Sequence, residues 1–437
     1  MARGKKKETL TPEERLQVAL VPEGEQPYKV PRNWCWVYAP SMFNIEYGKG
    51  LPTKKLCEDG YPVFGANGQI GFYNEYMFED EKALMSCRGA YSGTMNLSLP
   101  KSFITNNSLI IETKLADISV KFVFYLYSAL NKAKLISGSA QPQVTVQAFN
   151  NYPVPVPPLA EQQRIVDRIE SLFAKLDEAR QKAQDALDSF ETRKAAILHR
   201  AFTGELTAQW RKEHGVGMES WENSTVGQVC HDVKVGIVIK PSQYYTDEEK
   251  GTPAFRSANV RENRIDDFDW VYLNHTGMEN NSRSIVHTGD VLVVRSGNPG
   301  TACVVSEKFD GYNAIDILIA VPDHRKISSE FLCAYTNSPF GKKLIFENKR
   351  GMALAHFNVK GYSGLPIRVP QLNEQAKIIC ILDDLLAKEQ QAKEAAEGVL
   401  GQIDLIKKAI LARAFRGELG TNDPSEESAV ELLKQVL

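Results

Sequence analysis

Apolar and small residues recur in alternating steps of four and three between residues 160 and 199: Ile165, Ile169, Leu172, Leu176, Ala179, Ala183, Ala186, Phe190 and Ile197. That spacing is a heptad seam, and it predicts one long helix that needs a helical partner. The pattern occurs twice. Residues 365–420 carry it again through Ile378, Leu382, Leu385, Ala392, Ala396, Val399, Ile403, Ile406 and Ile410. The stretches 152–207 and 365–420 align without a gap. Pro153 falls on Pro366, Glu161-Gln162 on Glu374-Gln375 and Gly204-Glu205-Leu206 on Gly417-Glu418-Leu419, a constant offset of 213 residues. A helix of this length spans roughly 60 Å at ~1.5 Å per residue. The other copy is the natural partner, packed antiparallel because a globular segment separates the two.

Each helix follows a proline-rich step and stops at Gly204 or Gly417, where a C-terminal glycine belongs. The first globular segment alternates short β-type runs (63–64, 70–72, 83–86 and 108–111) with turns, and has one helix-like stretch over 120–134. The second repeats its landmarks at rising offsets. Trp34 corresponds to Trp221, residues 60–64 (GYPVF) to 251–255 (GTPAF), Arg88 through Thr94 to Arg295 through Thr301, and residues 137–140 to 350–353. Length differences therefore fall in loops between kept landmarks, as expected of a duplicated scaffold whose loops have diverged. Capping signals at Thr11 and Asp423 predict short helices near the two ends, which are expected to pack beside the 203–219 connector.

Net charge is −2 and the pI about 6.4, so bulk electrostatics do not announce a nucleic-acid binder. No apolar run approaches the ~18 residues that span a bilayer, and the basic start MARGKKKETL lacks a signal-peptide core. A cytoplasmic location is expected. The seven cysteines are scattered singly with no C-x-x-C, which argues for buried free thiols rather than disulfides or zinc.

Catalytic signatures are missing. The sequence holds no N/D-P-P-Y/F tetrad (Gly-Asn-Pro-Gly at 297–300 is the nearest), no phosphate-binding G-x-x-x-x-G-K-[ST] loop and no H-E-x-x-H. His199 falls on Ala412 in the other copy, and Asp266-Asp267 and Asp383-Asp384 read as solvated surface pairs. No catalytic, cofactor-binding or metal-binding residue is assigned.

Two variable globular segments, each followed by a helix opening P-x-L-x-E-Q and closing A-I-L-x-R-A-F-x-G-E-L, resemble the specificity subunit of a type I restriction-modification enzyme. The resemblance covers about residues 25–420. It implies an α+β fold, two pseudo-symmetric mixed α/β target-recognition domains separated by two long antiparallel coiled-coil helices. The segments are an N-terminal short helix and arm (1–25), target recognition domain 1 (26–158), the central long helix (159–202), a connector (203–220), target recognition domain 2 (221–371), the distal long helix (372–415) and a C-terminal short helix (416–437). The family binds split double-stranded DNA targets, one half per domain, and modules sharing one duplex face sit about 34 Å apart. The resemblance also implies assembly with two methyltransferase subunits and two restriction/translocase subunits. S-adenosylmethionine, ATP and magnesium would belong to those partners, with no cofactor in this chain and no membrane association. The alternative is a structural or interaction protein on a duplicated coiled-coil scaffold that does not bind DNA.

Base reading needs Arg, Lys, Asn and Gln with bidentate reach. In the first domain the candidates are Lys49, Lys54, Asn67, Gln69, Arg88, Tyr91, Gln141 and Gln143; in the second they are Lys240, Arg256, Asn259, Arg261, Arg295, Asn298, His356, Asn358 and Lys360. Arg88 and Arg295, matched in the alignment, suit a shared phosphate contact. Duplicated contacts suit duplicated partners, so Glu161, Gln162, Gly204, Glu205, Leu206, Glu374, Gln375, Gly417, Glu418 and Leu419 are the expected docking residues.

Overall fold

The computed structural model describes residues 10–138, 140–349 and 357–437, and the chain divides into two units, Met1–Gln184 with Gly398–Leu437 and Asp185–Glu397. In the first unit the β-type runs assemble into a four-stranded antiparallel sheet in the order Phe43–Tyr47, Ser108–Thr113, Ala83–Ser86, Met95–Leu97. All of Ala83–Ser86 is buried, because both faces of the sheet are covered. Helix Val120–Ala129 packs on one face through Phe122, Val123, Leu126 and Tyr127. Alternation of side chains along the strands sends Leu84 and Ile110 to the other face, where Phe64 and Ile104 of a three-stranded sheet meet them. A ladder of Cys35–Tyr38 with Pro153–Val156 closes the domain.

The second unit repeats this plan. Its sheet runs Cys230–Val235, Ile317–Pro322, Val291–Val294, Ala302–Val304, and its closing ladder pairs Glu222–Thr225 with Pro366–Val369. The parallel pairing of Tyr61–Gly65 with Phe103–Ile104 recurs as Thr252–Phe255 with Asn313–Ala314. The two domains differ in the loop that follows these strands. The first turns tightly after Gly65 into Gly68–Tyr73, whereas the second runs through residues 256–270, where Trp270 stacks into a cluster with Phe255, Phe309 and Tyr312.

Helical pairing occurs inside each unit. In the first, helix Leu159–Asp188 buries Ile165, Val166 and Ile169 in the domain core, then meets the end of helix Leu372–Ala414. Asp177 lies 2.5 Å from Lys407, and Arg180 2.5 Å from Asp404, so the two helices run antiparallel. In the second, helix Phe190–Phe202 meets the middle of Leu372–Ala414 through Arg193–Glu389 at 2.8 Å and Lys393 over the Phe190 ring. Such exposed pairs contribute only ~0–1 kcal/mol each; they report register more than stability.

Three expectations are corrected. The first copy is not one helix: it breaks at Ser189, whose hydroxyl donates to the Asp185 carbonyl at 2.8 Å. The seam of the second copy is shifted, since Ala392, Val399 and Ile406 are exposed while Ala396, Leu400, Ile403, Lys407 and Ala414 turn inward. Lys407 holds a seam place because its ammonium lies over the Phe173 ring, 5.0 Å from the centroid, and also reaches Asp177. Within the first unit Arg15 Nη1 donates to the Leu437 carbonyl at 2.8 Å, so the helices near the two ends lie together. The last helix, Val430–Val436, begins later than expected, and the Asp423 carboxylate accepts instead from the Ser425 amide and hydroxyl.

No helix of the described residues is long and apolar enough to cross a membrane, and those residues hold no group of three or more His, Cys, Asp or Glu placed to bind a metal. None of the cysteines is paired. Burial pushes the Cys35, Cys230 and Cys303 thiols up to about 12, but Cys57 and Cys380 are exposed, against expectation.

Candidate nucleic-acid interface

In each domain most of the loops that carry the candidate residues gather at one end of the four-stranded sheet. In the first, strand Phe43–Tyr47 runs out into Gly48 and Lys49, which bridges Thr105. Strand Ala83–Ser86 leads to Arg88, which bridges Gln143, and the amide of Gly89 and hydroxyl of Ser92 both donate to the Pro142 carbonyl. Ser86 and Ser108 donate to the carbonyls of Ala66 and Gly65, which fixes the turn bearing Asn67 against the same end. Lys49, Asn67, Arg88, Tyr91, Gln141 and Gln143 are thus brought together, all exposed. Lys54 and Gln69 are also exposed and sit further along the three-stranded sheet, around the Cys57–Phe72 bridge.

In the second domain Val235, Val294 and Ile317 end their strands side by side. Asp316 donates its amide to the Ile237 carbonyl, Ile315 to that of Phe255, and Phe357 to that of Arg295, so loops 236–240, 256–261, 295–300 and 357–360 converge there. Lys240, Asn298 and Lys360 are exposed. Among the described residues Lys49, Lys54, Arg88, Lys240 and Lys360 make no ion pair, which leaves their charges available to phosphates. Buried polar atoms without a partner among those residues also collect here: Thr105 Oγ1, Thr301 Oγ1, Arg256 Nε and Arg295 Nε. Such orphaned groups ask for an explanation, and a ligand surface supplies one.

Several candidates have other work. Asn259 is 0% exposed; its side chain accepts from the Arg256 amide and donates to the Phe268 carbonyl at 2.8 Å, holding the long loop together. Arg256 is committed to Asp269 and Arg261 to Asp266. Asn358 caps the short helix Val359–Ser363 through the Gly361 amide. His356 lies outside the described residues, as does the 350–353 landmark.

Arg88 and Arg295 are not equivalent. Ser86 and Val294 donate to the carbonyls of Thr94 and Thr301 and accept from the amides of Gly93 and Gly300, and Val144 donates to Cys87 as Phe357 donates to Arg295. Register therefore places Arg295 on Cys87. The first hairpin is one residue longer, and its Arg88 is exposed where Arg295 is 14% exposed and held 3.2 Å from Asp316.

The expected docking residues at the helix starts are interior. Glu161 is 0% exposed and accepts from Trp34 Nε1 at 2.7 Å, from Asn422 and from Thr421. Glu374, 1% exposed, accepts from Trp221 Nε1 at 3.1 Å, Thr207 and Arg211. Gln162 and Gln375 are buried on the Pro157 and Pro370 carbonyls at 2.9 and 2.8 Å. In both units the glutamate of one helical copy is held by the connector that follows the other copy. Gly204 and Gly417 adopt φ of +82° and +74°, and Leu206 and Leu419 pack on the cores, so only Glu205 and Glu418 of that motif remain exposed.

A family model described as the type I restriction modification DNA specificity domain matches residues 31–186 and again 218–397, the two copies found above by register. The chain belongs to this family. It is 25% identical over 333 residues to the EcoKI specificity subunit of Escherichia coli K12, covering 71% of this chain and 69% of that protein. It is 23% identical to the Escherichia coli EcoBI specificity subunit over 446 residues, 92% of each. The HsdS subunit of Thermoanaerobacter tengcongensis shares the fold, with a TM-score of 0.62 at 20% identity over 90% of this chain and all of that one. A subunit from a solved type I restriction-modification assembly gives 0.61 at 21% identity. Sequence-specific DNA recognition within a type I restriction-modification system is thereby this chain's role, in a family whose specificity subunits are generally non-catalytic.

Proposed function

We propose that the chain binds a two-part asymmetric DNA target, one short block per domain, and directs adenine methylation and restriction carried out by partner subunits. The observation that carries this reading is the duplicated sheet end. One scaffold presents corresponding loops twice with different side chains: Lys49, Asn67, Arg88 and Gln143 in one domain, Lys240, Asn298 and Lys360 in the other. Two surfaces of that kind read two different sequences, and unpaired cations around them supply the sequence-independent hold on phosphates. By the same resemblance two methyltransferase and two restriction/translocase subunits complete the complex, and S-adenosylmethionine, ATP and magnesium reside in them.

The test is co-expression with a methyltransferase partner followed by sequencing of methylated adenines. A split motif with a fixed unspecified spacer is the expected result, and replacing residues 221–364 with another such domain should alter one block only. A continuous motif, or no methylation with an active partner, overturns the reading.

A further inference from the structure

One further position is duplicated at the sheet end. Asn106 donates its amide to the Lys49 carbonyl at 3.1 Å, and Asp316 donates to Ile237 at 3.0 Å. In return Lys49 donates to Ile104 at 2.9 Å and Ile237 to Ala314 at 2.8 Å. Both residues thus occupy the same backbone place, just ahead of the strands Ser108–Thr113 and Ile317–Pro322. Each stands on a rigid pedestal. Thr105 and Ile315 before them and Ser108 and Ile317 after them are buried. The facing loop approaches so closely that a Cβ on Gly48 or Gly236 would strike the Ile104 or Ala314 carbonyl.

What the two domains present there differs in chemistry. The Asn106 side chain is exposed and makes no hydrogen bond among the described residues. Asp316 is 37% exposed and held at φ +53°, a left-handed backbone uncommon outside glycine and enriched where function requires it. The neighbouring strand end changes with it. Beside Asp316 stands Arg295, Nη1 to Oδ1 3.2 Å; beside Asn106 the register places the neutral Cys87, whose Sγ donates to the Asn106 carbonyl. A carboxylate facing a phosphate-lined groove is repelled unless neutralised, and the largely buried Arg295 neutralises it in place. An asparagine needs no such partner, and has none.

Resting on the functional reading above, we propose that Asn106 and Asp316 are the matched base-reading positions of the two domains. Asn106 takes the N6/N7 edge of an adenine, for which an amide has both donor and acceptor. Asp316 accepts from the N4 amino group of a cytosine. Neither position stands out in the sequence, because neither lies in a loop rich in glycine and cations; only the backbone register equates them.

The experiment uses the complete chain co-expressed with its methyltransferase partner, carrying Asn106→Asp or Asp316→Asn, with motifs read by sequencing methylated adenines. Asn106→Asp should change one specified position in one block, and Asp316→Asn one position in the other. The preference at that position should shift at least about tenfold and the remaining positions should be kept. Thermal unfolding of both variants accompanies the sequencing. Asn106→Asp alters an exposed, unbonded side chain, so its fold is expected to match the parent. A parental motif that neither variant changes overturns the inference alone, as does an even loss at every position with a lowered melting temperature for both. No split motif from the parental complex with an active partner overturns the functional reading and this inference with it.

Discussion

Trp34 and Glu161 stand 127 residues apart in the chain and meet in a buried 2.7 Å hydrogen bond, and Trp221 repeats that bond to Glu374 across 153 residues. In each unit the bond ties the start of a globular domain to the start of the helix that follows it. The two sites differ in what else holds the carboxylate. Glu161 has the neutral donors Asn422 and Thr421, whereas Glu374 has the Arg211 guanidinium at 2.5 Å.

Glu374→Gln should therefore destabilise its unit more than Glu161→Gln does the other. Removing one member of a buried ion pair costs about 3–5 kcal/mol, and weakening a buried hydrogen-bonded acceptor about 1–3. Hydrogen exchange resolved by peptide measures the two units separately. Equal losses of protection in the two variants would show that Arg211 adds nothing.

The shifted helical seam can be tested with two isoleucines three residues apart. Ile403 is 2% exposed and Ile406 41%. Ile403→Ala should cost about 2–5 kcal/mol by urea unfolding, and Ile406→Ala about 0.5 or less. Comparable losses at both positions would restore the seam that the heptad spacing predicts, which holds Ile403 and Ile406 alike.

Thiol reactivity should divide the cysteines. Cys57 and Cys380 are exposed and should be alkylated in the native protein. Cys35, Cys230, Cys303 and Cys333 are buried, with burial raising each thiol far above its ordinary range, so they should react only after unfolding. Mass spectrometry of native and denatured samples distinguishes the two sets; native labelling of Cys303 would contradict it.

Asn259→Ala should behave as a structural lesion. It removes the bonds to the Arg256 amide and Phe268 carbonyl, for a loss of about 1–3 kcal/mol. DNA affinity should fall evenly over all target variants in a binding competition. A change confined to one target position would return Asn259 to the base-reading set.

Much of the architecture is legible in the residues alone, because a duplicated chain carries its own alignment. The offsets of Trp34 to Trp221 and Pro153 to Pro366 reappear as the register of the two closing ladders. Residue types mislead where a distant partner decides their environment. A glutamate and glutamine opening a helix read as surface, yet Trp34 and Trp221, far away in sequence, draw Glu161 and Glu374 inside. Lys407 reads as a solvated charge, yet it is half-buried with its ammonium over the Phe173 ring. Arg88 and Arg295 look equivalent until strand register reveals one extra residue in a hairpin, a difference that side-chain identity cannot report.

The assembly of the first unit from Met1–Gln184 and Gly398–Leu437 has a consequence for synthesis. On the ribosome the second unit is contiguous and has all its residues once Glu397 has emerged. The first emerges earlier but lacks Asn422 for Glu161 and Glu426 for Arg164 until the final segment is made. The domain translated first is thus the one completed last, and through most of translation it must wait with the Glu161 end of its helix unsealed.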